Sequence, residues 1–178
     1  MRIFLLAILI VSGLFSGSCK KISELTQFDL KYNTETTIEA GVATLLPFDV
    51  NTPDIQSQTE DEFQGHKTAK NLIQSITLKE LKISITAPEE QNFDFLKNLE
   101  IYISSDGMEE LKLAWKTEIP ENIGKEIVLD NSDADIKPYL LSEKFRLRLK
   151  TTTDKVLNND VQIKIANIFR VDANILGL

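Results

Sequence analysis

Phe145-Arg146-Leu147-Arg148-Leu149-Lys150 alternates apolar and basic side chains along its whole length. In an extended chain, successive side chains point to opposite faces. Phe145, Leu147 and Leu149 therefore share one face, and Arg146, Arg148 and Lys150 the other. The same period of two returns in Leu99-Glu100-Ile101-Tyr102-Ile103, in Leu111-Lys112-Leu113-Ala114-Trp115-Lys116 and in Ile127-Val128-Leu129. Near the front, Phe28, Leu30 and Tyr32 alternate with Asp29 and Lys31, and Val42 to Leu46 is a short apolar run. One face in and one face out is the mark of antiparallel sheets. By its phase, Trp115 joins Leu111 and Leu113 on the inward side.

Two segments exceed an ordinary strand. Ile76 and Leu78 share one phase, while Leu81, Ile83 and Ile85 share the other. The switch around Lys79-Glu80 predicts a bulge, where one extra residue re-aims the side chains. From Val161 to Ile175 a single phase holds through Ile163, Ile165, Phe169, Val171 and Ala173, with Asn167 interrupting. At about 3.3 Å per residue this run would span roughly 50 Å. It is expected to bend, split near Asn167 or serve two sheets in turn.

Helical signals are short. Thr68 to Ile73 places Ala69, Leu72 and Ile73 on one helical face behind a threonine cap. Phe93 to Leu96 suggests a single turn, and Asp135 to Leu141 another, with Pro138 near its start. The polar stretch Asn51 to Lys67 reads as a long loop. Seven to nine strands with short connections predict an all-β fold, a two-layer antiparallel β-sandwich of immunoglobulin-like type with a few helical turns. Three tyrosines and one tryptophan are too few for the two aromatic girdles of a transmembrane barrel.

The front of the chain is of another kind. Arg2 precedes an apolar run from Ile3 to Val11, and small residues follow, the layout of a secretory signal. The run is interrupted at Ser12 and Gly13, short of the roughly 20 apolar residues of a spanning helix. It leads into Ser16-Gly17-Ser18-Cys19-Lys20-Lys21, with Cys19 the single cysteine. A lone cysteine in an exported chain has no disulfide partner.

Small residues before a cysteine, behind an apolar run, resemble the lipobox of bacterial lipoproteins. The resemblance covers the first twenty-one residues or so. It departs at Ser16, where leucine is usual; Leu14 lies two places upstream, and lipoboxes of the Bacteroidetes group are looser there. It implies cleavage before Cys19 and a diacylglyceryl group on its thiol. It implies a signal peptide over 1–18, a lipidated N-terminus and linker over 19–27, and one sandwich domain over 28–178. Two or three acyl chains hold a protein on a membrane far more firmly than one. Lys20 is not the aspartate of inner-membrane retention, and no acidic export cluster follows. The expected place is the periplasmic face of the outer membrane.

The chain carries 20 basic and 27 acidic residues. Losing Arg2 with the signal leaves 19 against 27, a net charge of −8. An acidic body argues against nucleic acid, which is held through Lys and Arg on phosphates.

His66, the only histidine, sits in Gln64-Gly65-His66-Lys67. With Cys19 given to lipid, it has no company for a zinc site. No serine or cysteine triad context surrounds it, and it reads as an exposed loop residue. In Asp130-Asn131-Ser132-Asp133-Ala134-Asp135, alternate positions imitate a calcium loop. Ile136 then stands where such a loop needs glycine, and Ser142 where it needs a glutamate. A turn capping the next helix accounts for the same residues. Glu60-Asp61-Glu62 and Glu89-Glu90 read as solvated loop tips. Tyr102 and Tyr139 are the rings expected to be exposed, and Arg146, Arg148 and Lys150 a polar face that discourages aggregation.

No catalytic residue, cofactor site or metal site is assigned. The leading expectation is a lipid-anchored binding or scaffolding protein of the cell envelope, contacting an envelope protein or small ligand. The alternatives are a structural subunit of an envelope assembly, with a large apolar patch on one sheet, and a hydrolase using a carboxylate pair.

Overall fold

The computed structural model describes residues 26–174 apart from positions 43, 44, 58 and 67. The expected signal peptide, Cys19, most of the linker and Ile175 lie outside the described residues.

The elements run β1 (Gln27–Ile38), β2 (Pro47–Asn51), β3 (Ile55–Gln56), α1 (Thr59–Gly65), a 3-10 turn (Lys70–Leu72), β4 (Ile73–Ala87), β5 (Leu96–Ser104), β6 (Leu111–Lys116), β7 (Glu126–Val128), β8 (Asp130–Asn131), α2 (Lys137–Leu141), β9 (Lys144–Thr153) and β10 (Val161–Ala173). Each alternating segment of the sequence is a strand, and every pairing is antiparallel. One sheet has the order β1–β10–β4–β7 and the other β2–β9–β5–β6–β8, with β3 continuing the β2 edge along β9. The two-layer antiparallel sandwich is as the alternation requires.

The winding is specific. β5 pairs with β6, β4 with β7, β2 and β3 with β9, and β1 with β10. The chain is thus one long hairpin, bent at β5–β6, whose two arms are rolled together into both sheets. That is the double Greek-key order of a jelly roll. In an immunoglobulin sheet the first strand lies beside the second; here it lies beside the last. Alternation shows which face of a strand is buried and is silent on its neighbours, so the sequence supports the sandwich and leaves its wiring open.

The core fills the space between the layers. Tyr32 on β1, Phe169 on β10 and Phe145 on β9 form a ring cluster that joins the sheets, with centroids 5.4 to 6.3 Å apart. The expected bulge in β4 is present. Ile168 faces Glu80 and Phe169 faces Leu78, so Lys79 is the extra residue. It lets Ile76, Leu78, Leu81 and Ile83 all be buried despite their change of phase. β10 neither splits nor changes sheets. It runs unbroken between β1 and β4 with Asn167 in phase, 1% exposed, opposite Tyr32 and Leu81.

Three local expectations are corrected. In the apolar run 42–46, of which positions 43 and 44 lie outside the described residues, Leu45 takes φ 63°, outside strand geometry, and both Leu45 and Leu46 are exposed ahead of β2. The polar stretch 51–67 contains β3 and α1, pinned by Phe63 at 1% exposure. Glu60, Asp61 and Glu62 form the first turn of α1, where their charge favours the positive end of the helix dipole. The helix expected over Thr68 to Ile73 shrinks to one turn, because Ile73 already belongs to β4 and the Thr68 hydroxyl donates to the Asn174 carbonyl instead of capping.

The two sides of the sandwich differ. On one side β7 pairs with β4, the Leu129 N–H bonds the Leu81 carbonyl, and β8 then pairs with β6. The chain crosses between the layers there and seals them. On the other side the edge strands β1 and β2 are bridged by the Thr36 hydroxyl donating to the Asn51 carbonyl at 2.9 Å.

Candidate functional site

The outer face of the second sheet collects the polar side chains that the alternation of β9 turned outward. Strand register lays them on a grid. Tyr102 stands between Lys112 and Arg148, and Glu100 between Trp115 and Lys150. Opposite β9, Asp49 faces Lys150 and Asn51 faces Arg148.

Arg148 is the hub. Its Nε and Nη2 donate to the two carboxylate oxygens of Glu110 at 2.8 and 2.7 Å, and Nη1 donates to Asp49 at 2.5 Å. Its guanidinium lies 4.5 Å from the centre of the Tyr102 ring, a cation–π contact. Glu110, bonded by Arg148, is held below the usual carboxylate range. Arg146 and Lys144 reach both Asp54 and Asp106. Lys112 donates to Glu100, which also accepts from the Tyr102 hydroxyl at 2.9 Å. The bond from Lys112, helped by Tyr102 and by the field of Lys150, holds Glu100 low. Burial, and then the neighbouring Glu100, raise the pKa of Tyr102. The basic row is therefore a polar face, as expected, with most of its charge neutralised in place. Among the described residues Lys150 forms no ion pair.

Trp115 corrects the reading of its strand. Ile101 faces Ala114 while Tyr102 faces Lys112, so Leu113 is an extra residue in β6. Leu113 and Ala114 are both buried, and Trp115 falls on the outward face, half-buried beside Glu100. Simple alternation carries no trace of this; it follows from pairing with β5. Next to it Pro47, Asn98, Glu100, Thr117, Lys150 and Thr152 enclose a shallow depression of about 240 Å³. Their amide, hydroxyl, carboxylate and ammonium groups offer donors and acceptors, and Trp115 stands across from Glu100 at the margin. Tyr102 is less available, since Arg148 lies over its ring.

A larger cleft, about 580 Å³, opens between β1 and β2. Val42, Phe48 and Val50 give it apolar surface, and Glu35, Glu39 and Asp49 stand among its walls. A second depression of about 350 Å³ continues it between β1 and β3, along Lys31 to Thr34. Together they trace the open side of the sandwich.

The other candidates are engaged structurally. His66 ends α1 and stacks flat on Phe28, centroids 4.0 Å apart at 11°. Asp135 accepts from the backbone N–H groups of Ile76 and Lys137, both at 3.0 Å, and so starts α2. The Asn131 amide donates to the Lys79 carbonyl, and Asp130 pairs with Lys116. Among the described residues no three His, Cys, Asp or Glu side chains converge as metal ligands. The Tyr139 hydroxyl donates to the Glu109 carbonyl and ties α2 to the approach to β6. Exposed large apolar side chains, among the described residues, are Leu45, Leu46, Met108, Val128 and Val156. Four of the five lie outside the strands, so they make no sheet-wide patch. Cys19 lies outside the described residues.

No protein-family model matches the chain, and no curated protein matches it in sequence. Among solved structures, one of desmodium yellow mottle tymovirus is similar at 9% identity and a TM-score of 0.30, covering 85% of this chain and 91% of that one. One of turnip yellow mosaic virus is similar at 9% identity and a TM-score of 0.28, with 85% of each chain covered. Likenesses at these TM-scores carry no argument about fold or function; the jelly roll stands on strand order alone.

Proposed function

We propose that this protein is a lipid-anchored lipoprotein of the cell envelope, held at Cys19 on the periplasmic face of the outer membrane, whose jelly-roll body is a non-catalytic binding module. The anchor rests on the sequence Ser16-Gly17-Ser18-Cys19 behind its apolar run. The binding role rests on one observation: the bulge at Leu113 sets Trp115 on the outer face beside a polar depression. A half-exposed indole next to amide, hydroxyl and charged groups suits a ligand with a flat apolar face and many hydroxyls, the chemistry of a saccharide unit. Bulges are over-represented where a side chain is re-aimed for function.

Two measurements test the two parts. Cys19→Ala is expected to move the protein from the membrane to the soluble fraction and to abolish labelling by a fatty-acid analogue. Equal membrane retention of the variant refutes the anchor. Trp115 is the single tryptophan, so tryptophan emission reports on the outer face beside the depression. Titration with soluble peptidoglycan fragments and with lipopolysaccharide core oligosaccharide is expected to give a saturable blue shift, weakened about tenfold or more in Lys150→Ala. Unchanged emission with both refutes the saccharide face.

A further inference from the structure

The strand edges of this molecule are unequally protected. Edge strands invite pairing with other chains, and proteins blunt them by shortness, proline, bulges or charge. β7 has three residues and β8 two. β2 has five, begins at Pro47 and is followed by Pro53. β1 is neither short nor bulged and has no proline; its one device is charge, in Asp29, Lys31 and Glu35. It runs for 12 residues without proline, in uninterrupted register with β10, and its outer side has no strand partner among the described residues. The groove of the open side lies along this edge.

We infer that β1 is the interface of a two-fold homodimer, in which the β1 strands of two copies pair antiparallel and join their four-stranded sheets into one. The occupant is argued from charge. Lys31, Asn33 and Glu35 are exposed on the outward face of β1, and among the described residues Lys31 and Glu35 form no ion pair within their own chain, whereas Asp29 is already held by Lys79 and Arg170. A two-fold axis at Asn33 sets Lys31 against Glu35 of the second copy, and Glu35 against its Lys31. Opposite charges directly across two strands stabilise the pair and like charges oppose it. Moving the axis to Tyr32 sets Asp29 against Glu35 of the second copy, and moving it to Thr34 sets Asp29 against Glu39. Both registers bring like charges together. An axis between residues would set buried faces against outward ones. An axis at Leu30 sets Asp29 against Lys31 of the second copy, but it pairs only Gln27 to Asn33 and draws on an Asp29 already held by Lys79 and Arg170. The axis at Asn33 pairs Phe28 to Ile38 and matches the two unengaged charges, so it is the longest self-complementary register, as an isologous interface requires.

The inference stands apart from the saccharide face, which lies on the other sheet. Antiparallel pairing places the two chain starts at opposite ends of the joined strands, so an anchored dimer would lie with its strands along the membrane. The linker from Cys19 to Gln27 reaches about 26 Å at roughly 3.3 Å per residue.

The test uses the full chain in its own envelope. Asn33→Cys, on the axis, is expected to give a disulfide-linked dimer on non-reducing gels; Glu80→Cys, on an interior strand, is expected to stay monomeric. In the Asn33→Cys chain, Lys31→Glu or Glu35→Lys alone sets like charges together twice per dimer. Each is expected to lower the crosslinked fraction about fivefold or more. Lys31→Glu with Glu35→Lys restores the opposition and is expected to return it to within about twofold. Circular dichroism of each variant checks folding. A monomer from Asn33→Cys overturns the proposal. So does a dimer indifferent to the single reversals or not restored by the double one.

Discussion

At the residue scale, Asn167 is the least expected side chain in the core. It sits in the centre of β10 at 1% exposure, and among the described residues neither its amide nitrogen nor its oxygen has a hydrogen-bond partner. A buried polar group without partners costs about 1–3 kcal/mol. Asn167→Val, which keeps strand preference and removes the polar atoms, should raise stability by about 1–2 kcal/mol in chemical denaturation. Trp115 gives the opposite kind of check. A core tryptophan truncated to alanine costs about 3–5 kcal/mol, whereas its place on the outer face predicts a loss under about 1 kcal/mol for Trp115→Ala. The ion pairs set the acid limit. Glu100 is held low by Lys112, and Glu110 by Arg148. Burial pushes Asp29 up, and the bonds from Arg170 and Lys79 more than reverse it. Their folded pKa values lie below the unfolded ones, so their contribution is present above about pH 4.5 and is lost as pH falls through the folded values. The denaturation midpoint should be flat from about pH 7 to 5 and fall below about pH 4. A midpoint that rises on acidification would contradict these pairings.

At the element scale, extra residues decide what faces where. Lys79 in β4 keeps both phases of its strand buried, and the sequence shows it because two runs of large apolar residues are out of step. Leu113 in β6 does the same work without a readable mark, since Ala114 is small and the alternation Leu111, Leu113, Trp115 looks intact. α1 was hidden for a related reason. Seven residues hold too few turns to display a helical period, and Phe63 is the one large apolar side chain by which they reach the core. Phe63→Ala should therefore cost about 3–5 kcal/mol. In hydrogen exchange the damage should concentrate in residues 55–66, while β10 stays the slowest to exchange. Equal loosening of β10 would mean that α1 is integral to the central sheet.

At the scale of the whole molecule, the first strand pairs with the last along its full length. No arm of the rolled hairpin is complete until the chain has been closed end to end. Such non-local pairing slows folding to the range of milliseconds to seconds. Removing residues 161–178 takes away the strand between β1 and β4, and the truncated chain should show no cooperative unfolding transition. A cooperative transition there would show that the second sheet folds by itself. The same closure separates a sealed side, where β7 and β8 cross between layers, from an open side bounded by β1. The unequal edges of the molecule are consequences of winding, visible in no single strand.

Most strands and their inward faces, the β4 bulge and the sandwich are legible in the sequence, because alternation and large apolar residues express burial locally. The sequence also carries the Ser16–Cys19 motif on which the anchor proposal rests. The tertiary structure decided the rest. Which strands are neighbours, that Trp115 faces outward, that Arg148 joins Asp49, Glu110 and Tyr102, and that β1 is a long edge strand all depend on register between distant segments. Register is a relation between strands, set by how the whole core packs, and no local pattern of residues encodes it.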